Sequence, residues 1–293
     1  MEPSPALPSL GFVGLGAMGA PMARNLLAAG YPVTVHARRH VLVRPLAEGG
    51  ARAGESPADV AAHSTIVHVM VTDTAAVEEV VLGPRGIIQG AQRDTIVVDH
   101  STISPSGSKR IAERLRAHGI EMMDAPVSGG IDGAAAGTLA IMAGGSEESF
   151  ARCLPVFRVL GKTIVHIGPN GAGLVAKACN QIALIVNQLG AAEAMLLAER
   201  SGLDPMRVKE ALMGGFAASK ILDVQAPKMI RRDFSGKIES RLHYKDILIA
   251  LEMAHELGIE LPASALASKI LTALQQRGGA RHDSAAVFTI IDS

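Results

Sequence analysis

Tryptophan is absent from this chain of 293 residues, and aromatic residues amount to only 3% of it. Any core must therefore be filled by Ala, Val, Leu, Ile, Gly and Met, which suits helices packed closely on sheets and on one another. Cysteine is scarce too. Cys153 and Cys179 make no disulfide framework and fit a reducing compartment. Cys179, inside an apolar run, reads as a small core residue. No sign of charge prevails, since 28 Lys and Arg balance 28 Asp and Glu. That balance removes the electrostatic reason to expect nucleic acid or a membrane surface as partner. The 10 histidines include no H-E-x-x-H or comparable cluster, so no metal site is expected and they read as surface or packing residues. The opening MEPSPALPSL lacks the basic and apolar regions of a signal peptide. Residues 1–9 are expected to form a disordered leader, and the protein to be cytoplasmic.

What is present is a change of pattern along the chain. Apolar, strand-like runs occur at 10–14, 32–36, 65–71, 95–99, 121–125, 138–143 and 163–167, with helical stretches between them. Such alternation marks a parallel sheet wrapped by helices. Beyond Gly168 the strand signals stop. Helices are expected at 172–201, 205–213, 219–231, 241–257 and 263–276, with Gly202, Gly258 and Gly278 as stops and Pro205 and Pro262 as starts. The expected fold class is α/β: an N-terminal Rossmann-type doubly wound sheet over 10–168, then an all-α domain over 169–293 for substrate and oligomerisation.

Gly14-Leu15-Gly16-Ala17-Met18-Gly19 is a G-x-G-x-x-G between a strand and a helix, the context a dinucleotide site demands. The first glycine permits the turn, the second lets a pyrophosphate approach the backbone, and the third lets helix and strand pack closely. Free N–H groups at the helix start then face the phosphates. NAD-preferring sites usually end the second strand with an acid for the ribose hydroxyls. This chain has His36-Ala37-Arg38-Arg39-His40 instead. Guanidiniums there welcome a 2′-phosphate, so NADP(H) is expected over NAD(H), with Arg38 as the first contact.

From Gly171 to Ala198 only Lys177 and Glu193 carry charge. The run reads as a long helix buried between other elements, apolar nearly all round. It is long enough to span a membrane, but its Lys, Asn, Gln and Glu argue for a soluble core helix. The ammonium of Lys177 either escapes to water along its stem or is kept for chemistry. Ser128-Gly129-Gly130, after a strand end, offers a hydroxyl and unencumbered N–H groups to a carboxylate, or is merely a turn.

These segments resemble the β-hydroxyacid dehydrogenase family. The pieces that carry the resemblance are GFVGLGAMGAPMARNLLAAG (11–30), VDHSTISP (98–105), DAPVSGGIDGAAAGTLAIMAGG (124–145), GAGLVAKACNQ (171–181) and KDILIAL (245–251). The resemblance implies Lys177 as the catalytic residue and Ser128, Gly129 and Gly130 as the holders of the substrate carboxylate. It implies cofactor contacts at Val71, Thr72, Thr102 and Lys245, a small hydroxy- or oxo-acid substrate, and a homodimer or homotetramer. In many members an Asn lies four residues after the lysine. Here Gln181 does, with Asn180 at three, so either is a substrate contact on the face of Lys177. The Lys-x-x-Asn-Gln arrangement looks more like the branch that reduces tartronate semialdehyde than the hydroxyisobutyrate enzymes. Burial is expected to lower the Lys177 pKa toward the working range. Asp246 either anchors Lys245 or pairs with it on a solvated face. A non-catalytic NADP-binding sensor that kept the scaffold is the alternative from a different class.

Overall fold

Period-two alternation builds the N-terminal sheet. In β1 (Leu10–Val13) Phe12 faces one side and Val13 the other, and β4 (Ile66–Val69), β5 (Ile96–Asp99) and β6 (Glu121–Asp124) repeat the pattern. Phe12, Val98 and Met123 join one core with helices α1 (Gly19–Ala28) and α7 (Glu147–Leu160). Val13, Val69, Val97 and Met122 join a second with α3 (Pro57–Ala62), α4 (Thr74–Leu82) and α5 (Pro105–Arg116). Both faces are thus covered, as parallel sheets require. The remaining strands are β2 (Val33–His36), β3 (Arg52–Ala53), β7 (Val127–Ser128), β8 (Leu139–Gly144) and β9 (Gly161–Gly168). Short helices α2 (Arg44–Glu48) and α6 (Gly130–Ala136) complete the set.

This computed structural model describes residues 7–236 and 238–293. Residues 1–6 of the expected leader lie outside them, and Ser9 already lends its carbonyl to Thr65 N at 2.9 Å. The strand order is β3-β2-β1-β4-β5-β6-β8-β7, with β9 beside β8. Pairing from β3 through β6 is parallel, and β8 runs antiparallel to β6 and β7. Strand order reverses between β1 and β4, so a crevice opens at their carboxyl ends, where a doubly wound sheet binds its ligand.

The chain divides into two compact units between Lys177 and Ala178, inside helix α8 (Ala172–Arg200). In the second unit α9 (Pro205–Met213), α10 (Lys220–Arg231), α11 (Ser240–Glu256), α12 (Pro262–Gln276) and α13 (Phe288–Ile291) contribute to a core that includes Met195, Met229, Ile247, Leu271 and Phe288. Gly202, Gly258 and Gly278 sit just past helix ends at φ +75°, +66° and +82°. By length and composition α8 could cross a membrane, with 44% of its most apolar window buried. Two expectations are corrected here. The helix is not buried all round: Val175, Cys179, Ala183, Asn187, Gly190, Glu193 and Leu197 recur at helical spacing as an exposed stripe. Cys179 therefore faces outward, and only Cys153 is a core thiol.

Two of the histidines are fully buried, His68 in β4 and His100 after β5. His68 Nδ1 lies 2.9 Å from His100 Nε2, and His100 Nδ1 lies 2.8 Å from the Ala125 carbonyl. Burial pushes the His100 pKa down to about 4, from an ordinary 6.5, and holds that of His68 well below the same value. The unfolded chain binds these protons as pH falls through 6.5, whereas folded His100 resists its own until about 4 and folded His68 resists its own well below 6.5. Stability from the pair is thus complete above 6.5 and drains as pH drops toward 4. Asp124 runs the other way: burial raises its carboxyl from 3.8 to about 6, so its ionisation costs stability as pH rises through that window. Two imidazoles outweigh one carboxyl, and His100 alone accounts for about 3 kcal/mol between the two limits. Urea midpoints measured from pH 7.5 down to 4.5 should therefore fall toward acid, and His68→Phe should flatten the slope. An unchanged slope in that variant would show that the pair does not govern acid stability.

Candidate active site

The glycine turn is shaped by space. Gly14 has φ +99°, and a Cβ there would stand 2.2 Å from the Met70 carbonyl oxygen. A Cβ on Gly19 would meet the Gly14 oxygen at 2.0 Å, whereas one on Gly16 would meet nothing within 4 Å. The first and third glycines thus permit close packing, and the second leaves its backbone bare toward the crevice. Gly16 lies on a cavity of about 810 Å³ whose walls also include Gly14, Leu15, Arg38, Arg39, Val71 and Thr72. That combination fits a dinucleotide: a bare turn and the start of α1 for the pyrophosphate, and guanidiniums beyond the end of β2.

The cavity thus gathers Gly14, Leu15, Gly16, Arg38, Val71 and Thr72, although the Leu15 side chain itself points into the core. Ala17, Met18, Gly19 and Thr102 are not among its lining residues; Met18 packs on the core of α1. Behind the wall, Val71 N donates to Ser101 Oγ at 2.9 Å, and Ser101 N donates to Asp99 Oδ1 at 2.9 Å. Asp73 caps α4 by accepting from Ala76 N at 2.9 Å. The buried Ser101 and Asp99, the exposed cap Asp73 and the cavity residue Arg85 escaped the sequence reading, whereas Arg39 was among the guanidiniums expected there. Ser101 and Arg85 are ordinary polar residues whose partners, Val71 N and the Glu55 carbonyl, each lie 30 residues away.

The second half of the unit is built around Asp124, at the end of β6 and fully buried. Its carboxylate accepts from Gly171 N at 2.6 Å and Leu174 N at 2.9 Å, the otherwise unpaired donors at the head of α8. Burial pushes the carboxyl up to about 6, while N–H groups of Gly171, Leu174 and Gly173 pull it down. The positive end of α8 also favours an anion here. Gly173 presses the same helix onto β8, since a Cβ there would stand 2.2 Å from the Met142 oxygen. The sequence signal for Asp124 was an acid closing an apolar strand.

One turn after Leu174 comes Lys177, only 7% exposed. Its Nζ donates to the Val127 carbonyl at 2.9 Å. It does not escape to water along its stem, and it lies at the residue preceding Ser128-Gly129-Gly130. Gly129 has φ +134° and is exposed, so its N–H and that of Gly130 are reached without a side chain in the way.

In the second unit Gln181, 3% exposed, donates to Asp246 Oδ2 at 2.6 Å and accepts from Asn180 Nδ2 at 2.8 Å. Lys245 Nζ stands 2.9 Å from Asp246 Oδ1. Asp246 is thus a buried anchor shared by Gln181 and Lys245, not half of a solvated pair. Asn180 remains half-buried.

A glycine turn at a strand-order reversal, lining a crevice of about 810 Å³, defines a dinucleotide-binding fold. Residues 9–168 match the NAD binding domain of 6-phosphogluconate dehydrogenase, and residues 171–291 match the NAD-binding domain of NADP-dependent 3-hydroxyisobutyrate dehydrogenase. The 2-hydroxy-3-oxopropionate reductase of Escherichia coli strain K12 is 41% identical over 287 residues, 97% of each chain. A 3-hydroxyisobutyrate dehydrogenase of Pseudomonas aeruginosa is 36% identical over 283 residues, 94% of each chain. Among solved structures, Mycobacterium tuberculosis 3-hydroxyisobutyrate dehydrogenase with L-serine superposes with TM-score 0.89 at 30% identity, covering 98% of this chain and all of that one. The chain belongs to the β-hydroxyacid dehydrogenase family and is an NAD(P)-dependent oxidoreductase of that type.

The Asp124 clamp has a measurable consequence. Asp124→Ala leaves two buried N–H groups without their acceptor, and should cost roughly 3 kcal/mol. Asp124→Asn, which keeps one acceptor oxygen, should cost less. Urea unfolding of both variants checks the order; an alanine variant as stable as wild type would show that the clamp does not stabilise the fold.

Proposed function

We propose that this enzyme reduces a short carboxylate-bearing aldehyde with NADPH, and that tartronate semialdehyde, going to glycerate, is its substrate. The observation that carries the reading is the buried Lys177 ammonium, hydrogen-bonded to the carbonyl just before the Ser128-Gly129-Gly130 loop. Reduced nicotinamide, when bound, supplies the hydride. Ser128 and the N–H groups of Gly129 and Gly130 hold the substrate carboxylate. Lys177 faces the carbonyl oxygen, stabilises the charge that grows there, and delivers the proton that completes the alcohol. In the reverse direction its neutral amine takes the hydroxyl proton.

Of the two amides, Asn180 is the proposed substrate contact, because Gln181 spends its own on Asp246 and Asn180. Arg38, on the cavity wall beyond β2 in a segment, 36–40, that carries no acid, is the proposed 2′-phosphate contact. Thr102 and Lys245 are kept as further cofactor contacts on the strength of the family resemblance. The 41% identical reductase supports the choice of substrate. The 36% identical dehydrogenase makes 3-hydroxyisobutyrate the competitor to test, alongside glyoxylate and succinic semialdehyde.

Steady-state rates on that panel, with NADPH and NADH, test the reading. Tartronate semialdehyde with NADPH should give the highest kcat/KM. Lys177→Ala should lower kcat by 10²-fold or more, roughly the worth of a general acid, with NADPH affinity unchanged. Arg38→Ala should erase the preference for NADPH. Near-wild-type turnover in the lysine variant would overturn the mechanism, and an NADH preference in the wild type would overturn the role of Arg38.

The enzyme is further proposed to be cytoplasmic and to assemble as a homodimer or homotetramer. Exposed Leu197, Leu203, Met206 and Phe216 in the second unit support the assembly, being large apolar side chains left in water by one chain. Light scattering at micromolar concentration should return a multiple of 30.4 kDa; a monomer mass would refute it.

A further inference from the structure

The reaction proposed above uses no imidazole, yet two are built into the sheet beside it. The rings of His68 and His100 are coplanar within 2°, with centroids 5.2 Å apart and the facing nitrogens 2.9 Å apart. A nitrogen contact that short at that spacing is an end-to-end hydrogen bond in the common plane, not a face-to-face stack. His100 Nδ1 reaches the Ala125 carbonyl at 2.8 Å. A carbonyl only accepts, so His100 carries its proton on Nδ1. Neutral His100 then accepts at Nε2, and His68 donates from Nδ1. The direction of every bond in the row is thereby determined.

The row crosses three strand ends. His68 lies in β4, which leads into Val71 and Thr72; His100 follows β5; Ala125 follows β6 and precedes the segment to Val127 and Ser128. Phe12 closes the row on the β1 side, its ring 5.8 Å from that of His68, and Phe157 of α7 lies edge-on to His100 at 6.3 Å. From the other side β8 grips the same segment, with Met142 N donating to the Pro126 carbonyl at 3.1 Å.

We propose that His100, held in orientation by His68, is a positioning residue. It fixes the Ala125 carbonyl, and with it the segment whose Val127 carbonyl receives Lys177 and whose Ser128-Gly129-Gly130 opens toward substrate. The inference rests on the reading of Lys177 and of that loop given above. Neither imidazole touches the reacting atoms.

The test compares His100→Leu, which removes the donor, with His100→Asn, whose amide nitrogen takes the place of Nδ1. Amide hydrogen exchange by mass spectrometry is read over residues 125–131 and over β1 as internal reference, together with kcat, KM and NADPH affinity. In His100→Leu, exchange over 125–131 should quicken about tenfold with β1 unchanged. Turnover should fall about tenfold at constant NADPH affinity, and His100→Asn should restore both. Unchanged exchange over 125–131, acceleration spread equally to β1, or full turnover despite local loosening would each overturn the proposal. Should the wild-type enzyme reduce none of the carbonyl acids, the functional reading fails by itself, and the exchange pattern still decides whether His100 holds the loop.

Discussion

The first unit is organised by one buried carboxylate meeting one helix end. Asp124 gives up water to accept the leading N–H groups of α8, and those groups, at the positive end of a 29-residue helix, give up water to donate to it. Neither partner is tolerable in the core without the other. The exchange fixes where α8 starts and how it is rotated about its axis. Rotation is what matters for the proposed chemistry, because Lys177 lies one turn on and its ammonium reaches the Val127 carbonyl only from one face. A clamp made of backbone donors on a sheet-borne acid is stiff in the way a surface ion pair is not. It also ties the lysine to β6, the strand that feeds the Ser128-Gly129-Gly130 loop, so the proposed proton donor and the proposed carboxylate holder share a single support.

The cofactor half of the unit is governed by excluded volume. Gly14 and Gly19 are glycines because carbonyl oxygens stand where their Cβ atoms would be, whereas Gly16 is bare against open space. The same sheet therefore brings backbone close to backbone at two points, and leaves backbone uncovered at a third. Beyond β2, the absence of an acid combines with Arg38 and Arg39 on the cavity wall to give that end an anion-seeking character. The props behind Val71, namely Ser101 and Asp99, keep the opposite wall at its distance.

Much of this was legible in the residues themselves, since the relevant signals are local. The apolar runs LGFV and TIVVD, the glycine turn, and glycines past helix ends each declare themselves within a few positions. Strands β3 and β7 did not, because two residues are too few to show a period. Asp124, His68 and His100 were invisible as functional props because their partners lie 25 to 50 residues away. Cys179 misled for a related reason. An apolar helix reads as buried on every side, and only packing reveals which stripe is left over. Lys177 was conspicuous as a charge in an apolar run, but the run could not say that a carbonyl, and not water, receives it.

Asn180 and Gln181 illustrate how packing resolves an ambiguity that spacing leaves open. Either amide suits a helical face shared with the lysine, yet the buried Asp246 holds Gln181 by a 2.6 Å bond and leaves Asn180 half-buried at the end of the chain of amides. On the proposed reading this bears directly on substrate choice. The loop that holds a carboxylate through backbone N–H groups treats all short carbonyl acids alike. Discrimination must then come from the group beside the reacting carbon, a hydroxyl in tartronate semialdehyde and a methyl in the aldehyde related to 3-hydroxyisobutyrate. An oriented amide favours the hydroxyl, and offering it a methyl leaves a polar group without a partner, which sites reject more strongly than they reject a change in apolar size. The Asp246 anchor matters for the same reason. An amide free to rotate could turn toward water, whereas one held by Gln181 keeps its hydrogen-bonding atoms in place and makes the mismatch costly.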